Sequence, residues 1–285
     1  MLDYKLISYG NCLTVGNYVL HSQFKQIVNF INAVNQIVSV ATNVKFLHAN
    51  SIIVQEIELK NIEKIEINNY ELIIKNYKLH LDKKLEFNSK LDFEIKNSKN
   101  LFNDFENKYL HLFKEKSLVF LLNQSDQSII NPSDLVGRSD GYKISAFETA
   151  MQNHLKSAYS EIISGNIIQG ISKFKGVGYG LTPSGDDFIA GFLYGLNILE
   201  IEKSADYSDL ISEILKTSLG NNIISNNLLI LASKGLFFSR LKNLIECILM
   251  NQEDKIENTL EELFEVGETS GSDILVGILT ALKIS

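Results

Sequence analysis

Arginine is almost absent from this sequence, and proline, cysteine and tryptophan are equally scarce. Arginine occurs only at positions 138 and 240, the chain has 2 prolines and 2 cysteines, and it has no tryptophan. Arginine is the side chain that best holds a carboxylate or phosphate through two parallel hydrogen bonds. Any such clamp within this chain must therefore use Arg138 or Arg240. The net charge of −7 also argues against a nucleic-acid-binding protein, which would normally present a basic face.

The cysteines and the apolar runs exclude further classes of protein. Cys12 and Cys247 lie far apart, and neither belongs to a Cys/His pattern with the spacing of a zinc site. The first residues do not combine a basic region with a long apolar run, so we expect no signal peptide. The longest apolar run, Phe188–Leu196, is far shorter than the ~18 residues that a membrane-spanning helix needs. We expect a cytoplasmic protein with neither a membrane nor a nucleic acid as its partner.

Short hydrophobic alternation over roughly the first 95 residues predicts β-strands separated by asparagine-rich turns. This spacing is typical of an antiparallel sheet that is barrel-like or sandwich-like. The predicted strands are Val19–Phe30, Gln36–Ala41, Ser51–Leu59, Lys64–Ile67, Tyr70–Lys75 and Tyr77–Leu81.

The hydrophobic period then becomes helical. Ser98 is expected to cap a helix, and Ser117–Asn123 is either a strand or an extension of that helix. We predict an α+β chain with a β-rich domain over residues 1–125, a linker over residues 126–145 and a helical domain over residues 146–285. Beyond the linker, the apolar face from Ala146 to Ile162 predicts a helix, and further helices are expected at Tyr207–Leu219, Ile223–Lys234, Phe237–Met250 and Lys255–Val266.

The most unusual segment is Gly176–Leu196, which holds six of the chain's 17 glycines and one of its prolines. Glycine loses the most backbone freedom on folding, so such a cluster indicates a special loop conformation or the close approach of a ligand or another backbone. The loop leads into two adjacent carboxylates, Asp186 and Asp187, and then into an almost wholly apolar segment. We interpret it as a tight loop that feeds a buried helix and place the candidate site there.

A second segment near the end of the chain repeats this pattern. A threonine, a serine/glycine turn, an aspartate and a glycine four residues later occur both at Thr182–Gly191 and at Thr269–Gly277. A glycine at that spacing lies on the aspartate's side of a helix and lets a second helix approach closely. We predict that the two helices cross near Gly191 and Gly277 and that their N-termini form one pocket. That pocket would gather Thr182, Ser184, Asp186, Asp187, Thr269, Ser270 and Asp273.

Simpler explanations exist for these residues. Acidic residues in a first helical turn stabilise the helix dipole, and Ser184–Asp187 resembles a capping box. Two carboxylates would repel a phosphate at this helix end. A cation between them, a hydrogen-bond donor from elsewhere, or a substrate whose N–H groups bind the carboxylates would resolve this conflict. The glycine pattern is neither a phosphate-binding P-loop nor a dinucleotide fingerprint, and Ser184 has no histidine nearby to activate it. The five histidines show no metal-ligand pairing, and His154 is expected in a core or an interface.

The block GLTPSGDD, residues 180–187, is the hallmark of a bacterial family catalogued as a domain of unknown function, which this chain resembles. The late block G-x-T-S-G-x-D at 267–273 and the helix at Asn221–Gly235 also match, and the resemblance extends loosely over most of the chain. One member of that family is similar to the third subunit of oxamate carbamoyltransferase, in anaerobic allantoin degradation. The resemblance implies carbamoyl transfer between oxalurate and phosphate, on a fold other than that of the ordinary carbamoyltransferases.

The resemblance implies a transferase subunit with a small anionic or amide substrate at the glycine-rich loop. Backbone N–H groups and hydroxyls would hold the developing oxyanion, and a carboxylate would orient an amide N–H or hold a divalent cation; we otherwise expect no cofactor. The alternative is a non-catalytic scaffold whose loop contacts partner subunits. Both the transferase and the scaffold hypothesis predict a homo-oligomer or a hetero-complex, with the helical half supplying most of the interface. The expected catalytic residues are Asp186 and Asp187, and the expected substrate-binding residues are Gly178, Gly180, Thr182, Ser184, Gly185, Thr269, Ser270 and Asp273.

Overall fold

Two compact units make up the chain in the computed structural model, which describes residues 5–55, 59–122, 146–202 and 205–284. One unit comprises Met1–Phe93 together with Gly235–Glu246, and the other comprises Glu94–Lys234 together with Cys247–Ser285. The predicted linker over residues 126–145 lies outside the described residues, and the predicted domain bounds stay a prediction.

In the described part of the first unit, nine strands form one curled sheet with the order β8-β7-β6-β2-β3-β4-β5-β1-β9. Neighbouring strands are antiparallel except for the pairs β4–β5 and β1–β9, which are parallel. The strands are β1 (Lys5–Gly10), β2 (Gly16–Gln23), β3 (Ile27–Ile31), β4 (Ile37–Ala41), β5 (Ser51–Gln55), β6 (Lys64–Ile67), β7 (Glu71–Ile74), β8 (Tyr77–His80) and β9 (Glu86–Phe87).

The core of this unit is built from two kinds of strand. In the outer strands buried and exposed side chains alternate, and in the central strands consecutive side chains are buried. In β6, Ile65 and Ile67 are buried while their neighbours are exposed, as expected for a strand with one face in a core. All five residues of β4 are buried, so this strand is covered on both faces. Val38 and Val40 of β4 and the two isoleucines of β6 join one apolar cluster with side chains of β2, β3, β5 and β7.

One predicted strand is wrong. Val19–Phe30, predicted as a single strand, forms the end of β2 and most of β3, which pair antiparallel around a turn where Phe24 N–H donates to Ile27 O (2.8 Å). That turn contains no glycine, proline or asparagine, so the sequence carries no local sign of it. Strands β1 and β9 were not predicted. Lys64–Ile67 is found with its predicted bounds, and the other predicted strands are found with shorter ones, although residues 56–58 of the predicted strand Ser51–Leu59 lie outside the described residues.

Nine helices occur in the described residues, and most were predicted. Helix α3 was not predicted, and Ser117–Asn123 is neither a strand nor a helix extension, because residues Leu118–Leu121 form a separate 3-10 helix. A curled sheet followed by a helical half confirms the predicted α+β class. The helices are α1 (Ser98–Tyr109), α2 (Ala146–Ile163), α3 (Ile167–Phe174), α4 (Ser184–Ile201), α5 (Ser208–Ser218), α6 (Ile223–Ser233), α7 (Ser239–Leu249), α8 (Glu253–Phe264) and α9 (Ser270–Ile284).

Helices α4 and α9 form the centre of the second unit. Every residue from 185 to 196 and from 271 to 282 is buried, so both helices are covered all round over these stretches. They pack so closely that a Cβ on Gly191 would lie 1.9 Å from Ile274 O, and one on Gly277 would lie 2.1 Å from Phe188 O. The predicted crossing near these two glycines is therefore confirmed.

Candidate functional site

Three glycines with positive φ shape the loop before α4. Gly176, Gly178 and Gly180 have φ values of 71°, 119° and 99°, in the region that residues with a side chain rarely adopt. Gly178 also packs against the start of α4, because a Cβ there would lie 2.6 Å from the backbone nitrogen of Ser184. The glycine cluster thus serves both of the purposes that the sequence indicated, an unusual backbone path and a close approach.

Helix α4 begins without the predicted capping box. Pro183 is its cap, and no side chain makes a capping hydrogen bond there in the described residues. The backbone N–H groups of Asp186 and Asp187 bond to Pro183 O instead. Ser184 is the first helical residue rather than the cap, so capping does not account for the two carboxylates.

The two adjacent aspartates point to different partners. Asp186 Oδ1 accepts a hydrogen bond from Gly176 N–H (2.7 Å) and so ties the beginning of the loop to its end. Asp187 Oδ2 accepts from the Thr182 hydroxyl (3.2 Å), and its carboxyl also bonds to the Ser270 hydroxyl at the start of α9. Asp186 therefore closes the loop, and Asp187 faces the second helix.

Asp273 completes the pairing from α9. Its Oδ1 accepts from Leu118 N–H (2.7 Å), and the hydroxyls of Thr269 and Ser184 approach the same carboxyl. Its Oδ2 has no hydrogen bond of good geometry within the described residues, although the side chain is fully buried. The two repeated blocks therefore meet, as their shared pattern predicted.

The resulting arrangement, which we call the carboxyl pair, is Asp187 and Asp273 beneath four hydroxyls. The two aspartates are 1% and 0% exposed. The hydroxyl-bearing residues are half-buried and so lie between the carboxyls and the solvent. They are Thr182 and Ser184 from the first block and Thr269 and Ser270 from the second.

Burial changes the protonation of the carboxyl pair. It raises the pKa of Asp187 to about 8, with a further increase from the charge of Asp273, and it raises the pKa of Asp273 to about 6. Two neighbouring carboxylates in a buried site repel each other, and they avoid this by holding a proton. Near neutral pH the pair therefore carries about one negative charge rather than two.

The carboxyl pair makes stability depend on pH. Because both pKa values are higher in the folded than in the unfolded chain, the folded state binds more protons between about pH 4 and pH 8. The stabilisation is full below about pH 4 and is lost as pH rises to about 8, with a slope of up to about 1.4 kcal/mol per pH unit for each extra proton. Urea unfolding at pH 5 and pH 8.5 should show this decrease, and Asp187→Asn should reduce it.

A matched control is Asp209→Asn, which changes an exposed aspartate in the first turn of α5. It should leave the pH dependence unchanged. Equal slopes for the wild type and Asp187→Asn would contradict the raised pKa of Asp187.

Part of the loop offers hydrogen-bond donors. Within the described residues, the backbone N–H groups of Gly178 to Thr182 have no protein acceptor. Gly185, expected to be a donor as well, gives its N–H to Val177 O (2.8 Å), and a Cβ there would lie 1.9 Å from Phe174 O. Gly185 thus serves packing, and the free donors lie nearer the loop tip.

The loop also borders a groove that the sequence did not reveal. This groove, the α2–loop groove, has a volume of about 310 Å³. His154, expected in a core or an interface, is exposed here, and its Nε2 lies 2.8 Å from Lys173 O. The sequence showed that these apolar residues share one face of a helix, but it did not show that this face remains exposed. The lining residues are Phe147, Ala150, Met151 and His154 of α2 and residues 176–179 of the loop.

The described residues of the unit that holds the carboxyl pair include no arginine. Arg240 belongs to the first unit, where its Nε donates to Lys45 O (3.0 Å) and its guanidinium lies over the Phe46 ring. Arg138 lies outside the described residues. An anion in the described part of this site would therefore be held by hydroxyls, backbone N–H groups and helix N-termini.

The described residues contain neither a candidate metal site nor a candidate membrane span. They contain no cluster of three or more histidine, cysteine, aspartate or glutamate side chains that could hold a metal ion. No helix among them has the length and apolar character needed to cross a membrane. The expectation about cofactors stays a prediction.

A comparison with known protein families gives a match over the segment that contains the glycine-rich loop and the carboxyl pair. The family model described as oxamate carbamoyltransferase subunit AllH matches residues 174–282. Neither the curated proteins nor the solved structures contain a match to the chain. The matched segment begins just before the glycine-rich loop and ends within α9, so it includes both aspartates of the carboxyl pair. Over residues 174–282 this chain is therefore similar to the family of the oxamate carbamoyltransferase subunit AllH.

Proposed function

We propose that this chain is a subunit of an oxamate carbamoyltransferase-type complex and that it binds the carbamoyl-bearing substrate beside the carboxyl pair. The family match supports the role as a subunit. The observation that carries the proposed site is the burial of Asp187 and Asp273 beneath hydroxyls of two helix starts, within the matched segment. Buried like charges cost stability, and they occur preferentially where chemistry needs them.

A carbamoyl group suits this arrangement because it has two N–H donors and one carbonyl oxygen. Near neutral pH Asp187 holds the proton of the pair, because its pKa is the higher of the two, and its carbonyl oxygen is an acceptor for such N–H groups. The free N–H groups between Gly178 and Thr182 are donors for the oxygen, which gains negative charge as the carbonyl carbon is attacked. In this proposal, Asp187 orients the substrate, the loop stabilises the transition state, and Asp186 maintains the loop.

The proton that Asp187 holds near neutral pH also reduces the repulsion of an anionic substrate. Two ionised carboxylates at a helix start would repel phosphate or a substrate carboxylate. With about one proton on the pair, the positive ends of the dipoles of α4 and α9 offset much of the remaining charge. This charge balance does not require a divalent cation.

A subunit of such a complex has partner chains, and the surface of the helical unit supports this. Helix α6 buries only Ser225, Leu229 and Ala232, so its predicted burial on more than one side is not found within the chain. At the loop, Tyr179 and Leu181 are 65% and 55% exposed. The alternative function, a scaffold whose loop contacts partners, rests on these exposed apolar side chains. The cytoplasmic location stays a prediction.

Carbamoyl phosphate formation from oxalurate and phosphate tests the proposal. The chain should be assayed alone and after co-expression with the products of neighbouring genes, with the oligomer size measured by light scattering. We expect a stable complex and turnover in the complex, with an interface of more than ~1,000 Å².

A complex that forms but turns over no carbamoyl compound would favour the scaffold. A monomer that co-purifies with no neighbouring gene product would contradict the role as a subunit.

A further inference from the structure

The α2–loop groove holds a histidine that the proposed function has not yet used. His154 Nε2 lies 2.8 Å from Lys173 O. A carbonyl oxygen can only accept, so Nε2 carries the hydrogen and donates it. In the neutral ring, Nδ1 is then the unprotonated nitrogen and a proton acceptor. A backbone carbonyl that fixes the tautomer in this way is a common feature of histidines that act as bases.

The surroundings of His154 suit a small planar amide. Two aromatic side chains, Phe147 of α2 and Tyr179 of the loop, lie 6.3 Å apart between ring centroids and are both among the lining residues. Among the described residues, no acidic side chain lines the groove. The groove's volume of about 310 Å³ is at the lower end of the range for small-molecule sites.

Gly178 links the groove to the carboxyl pair. It lines the groove, and it packs against Ser184, whose hydroxyl approaches Asp273. A substrate at this point would reach both the loop N–H groups and the groove.

We propose that the α2–loop groove takes the amide partner of carbamoyl transfer and that His154 is the base for its nitrogen. This inference rests on the proposed function. As the amide nitrogen attacks the carbamoyl carbon of carbamoyl phosphate, the new N–C bond forms and the C–O bond to phosphate breaks. The electron pair leaves with the phosphate oxygen, and the amide proton passes to His154 Nδ1. In the reverse direction the imidazolium returns that proton to the leaving nitrogen.

Few other groups near His154 would titrate in its place. Tyr179 is the other titratable side chain that lines the groove. On α3, Lys173 is paired with Glu161 of α2, with 2.9 Å between Nζ and Oε1. On the loop, Lys175 Nζ donates to Leu219 O (2.6 Å). A limb of the pH–rate profile that disappears with His154 would therefore belong to the imidazole.

The test compares His154→Gln with the wild type in the co-expressed complex. Glutamine keeps a donor for Lys173 O but cannot accept a proton, so kcat should fall at least ~100-fold with little change in KM. The acidic limb of the pH–rate profile should disappear, and free imidazole should restore part of the activity of His154→Ala. The control His111→Gln replaces an exposed histidine elsewhere in the same unit and should change none of these.

The possible results distinguish the role of His154 from the proposed function of the chain. An active wild type with an equally active His154→Gln would overturn the role of His154 and leave the proposed function standing. A complex without turnover would overturn both. If His154→Gln melts well below the wild type, His154→Asn is compared instead. A purely structural role of His154 would show as a loss of activity in His154→Ala that free imidazole does not restore.

Discussion

Gly191→Ala should destabilise the helical unit by about 3 kcal/mol or more, at the upper end of overpacking costs. A Cβ at this position would lie 1.9 Å from Ile274 O and 2.9 Å from Ile274 Cα. Both are backbone atoms of a buried helix, so the clash can be relieved only if α4 and α9 move apart. In an ordinary helix the same substitution would stabilise by up to about 1 kcal/mol, so the expected sign is reversed here. Urea unfolding measures the change.

Gly220→Ala is the matched control. A Cβ there would meet only the end of the flexible Lys175 side chain, at 3.2 Å from Cε. Its effect should stay below about 1 kcal/mol. If Gly191→Ala were as stable as this control, the close crossing of α4 and α9 would be contradicted.

Asp187→Asn should abolish most of the activity of the complex without unfolding the chain. The amide can still bond to the hydroxyls of Thr182 and Ser270, and it removes a buried charge that lowers stability at alkaline pH. The variant should thus be at least as stable as the wild type at pH 8. It loses the carboxyl group that can donate a proton or accept from the substrate's N–H groups, so we expect kcat to fall by at least ~100-fold, as when a catalytic hydrogen-bonding group is removed.

The comparison needs two further variants. Asp209→Asn should leave activity unchanged, because Asp209 is exposed on α5. Asp186→Asn should weaken the contact to Gly176 and loosen the loop, so its effect on activity should follow its effect on stability. Full activity in a folded Asp187→Asn complex would remove Asp187 from the proposed mechanism.

Most helices and strands could be predicted from periodicity, and the failures have local physical causes. The hairpin between β2 and β3 turns within apolar and polar residues that carry no turn signal, so the two strands looked like one. Helix α3 has only eight residues and contains Gly170, which is buried, so its pattern was too short to distinguish from a loop. Periodicity finds long amphipathic elements and misses short ones.

The sequence predicted which residues form the candidate site, but it predicted their separate roles less well. The repeat of threonine, aspartate and glycine was sufficient to place Asp187 and Asp273 together, because glycine spacing fixes where helices cross. The sequence could not separate Asp186 from Asp187, since adjacent residues on a helix point in directions that only the packing of α9 and the loop determines. It also assigned His154 to a core or interface, because an apolar helical face does not reveal how much of it is covered.

The division of the chain has a consequence for its synthesis. The sheet unit includes Gly235–Glu246, where Phe237 N–H donates to Ser89 O and Ser239 N–H donates to Leu47 O. The ribosome makes residues 94–234, most of the helical unit, before it makes this segment. The sheet therefore cannot acquire its last hydrogen-bonded segment until translation has passed residue 246, and it has to persist incomplete on the nascent chain until then.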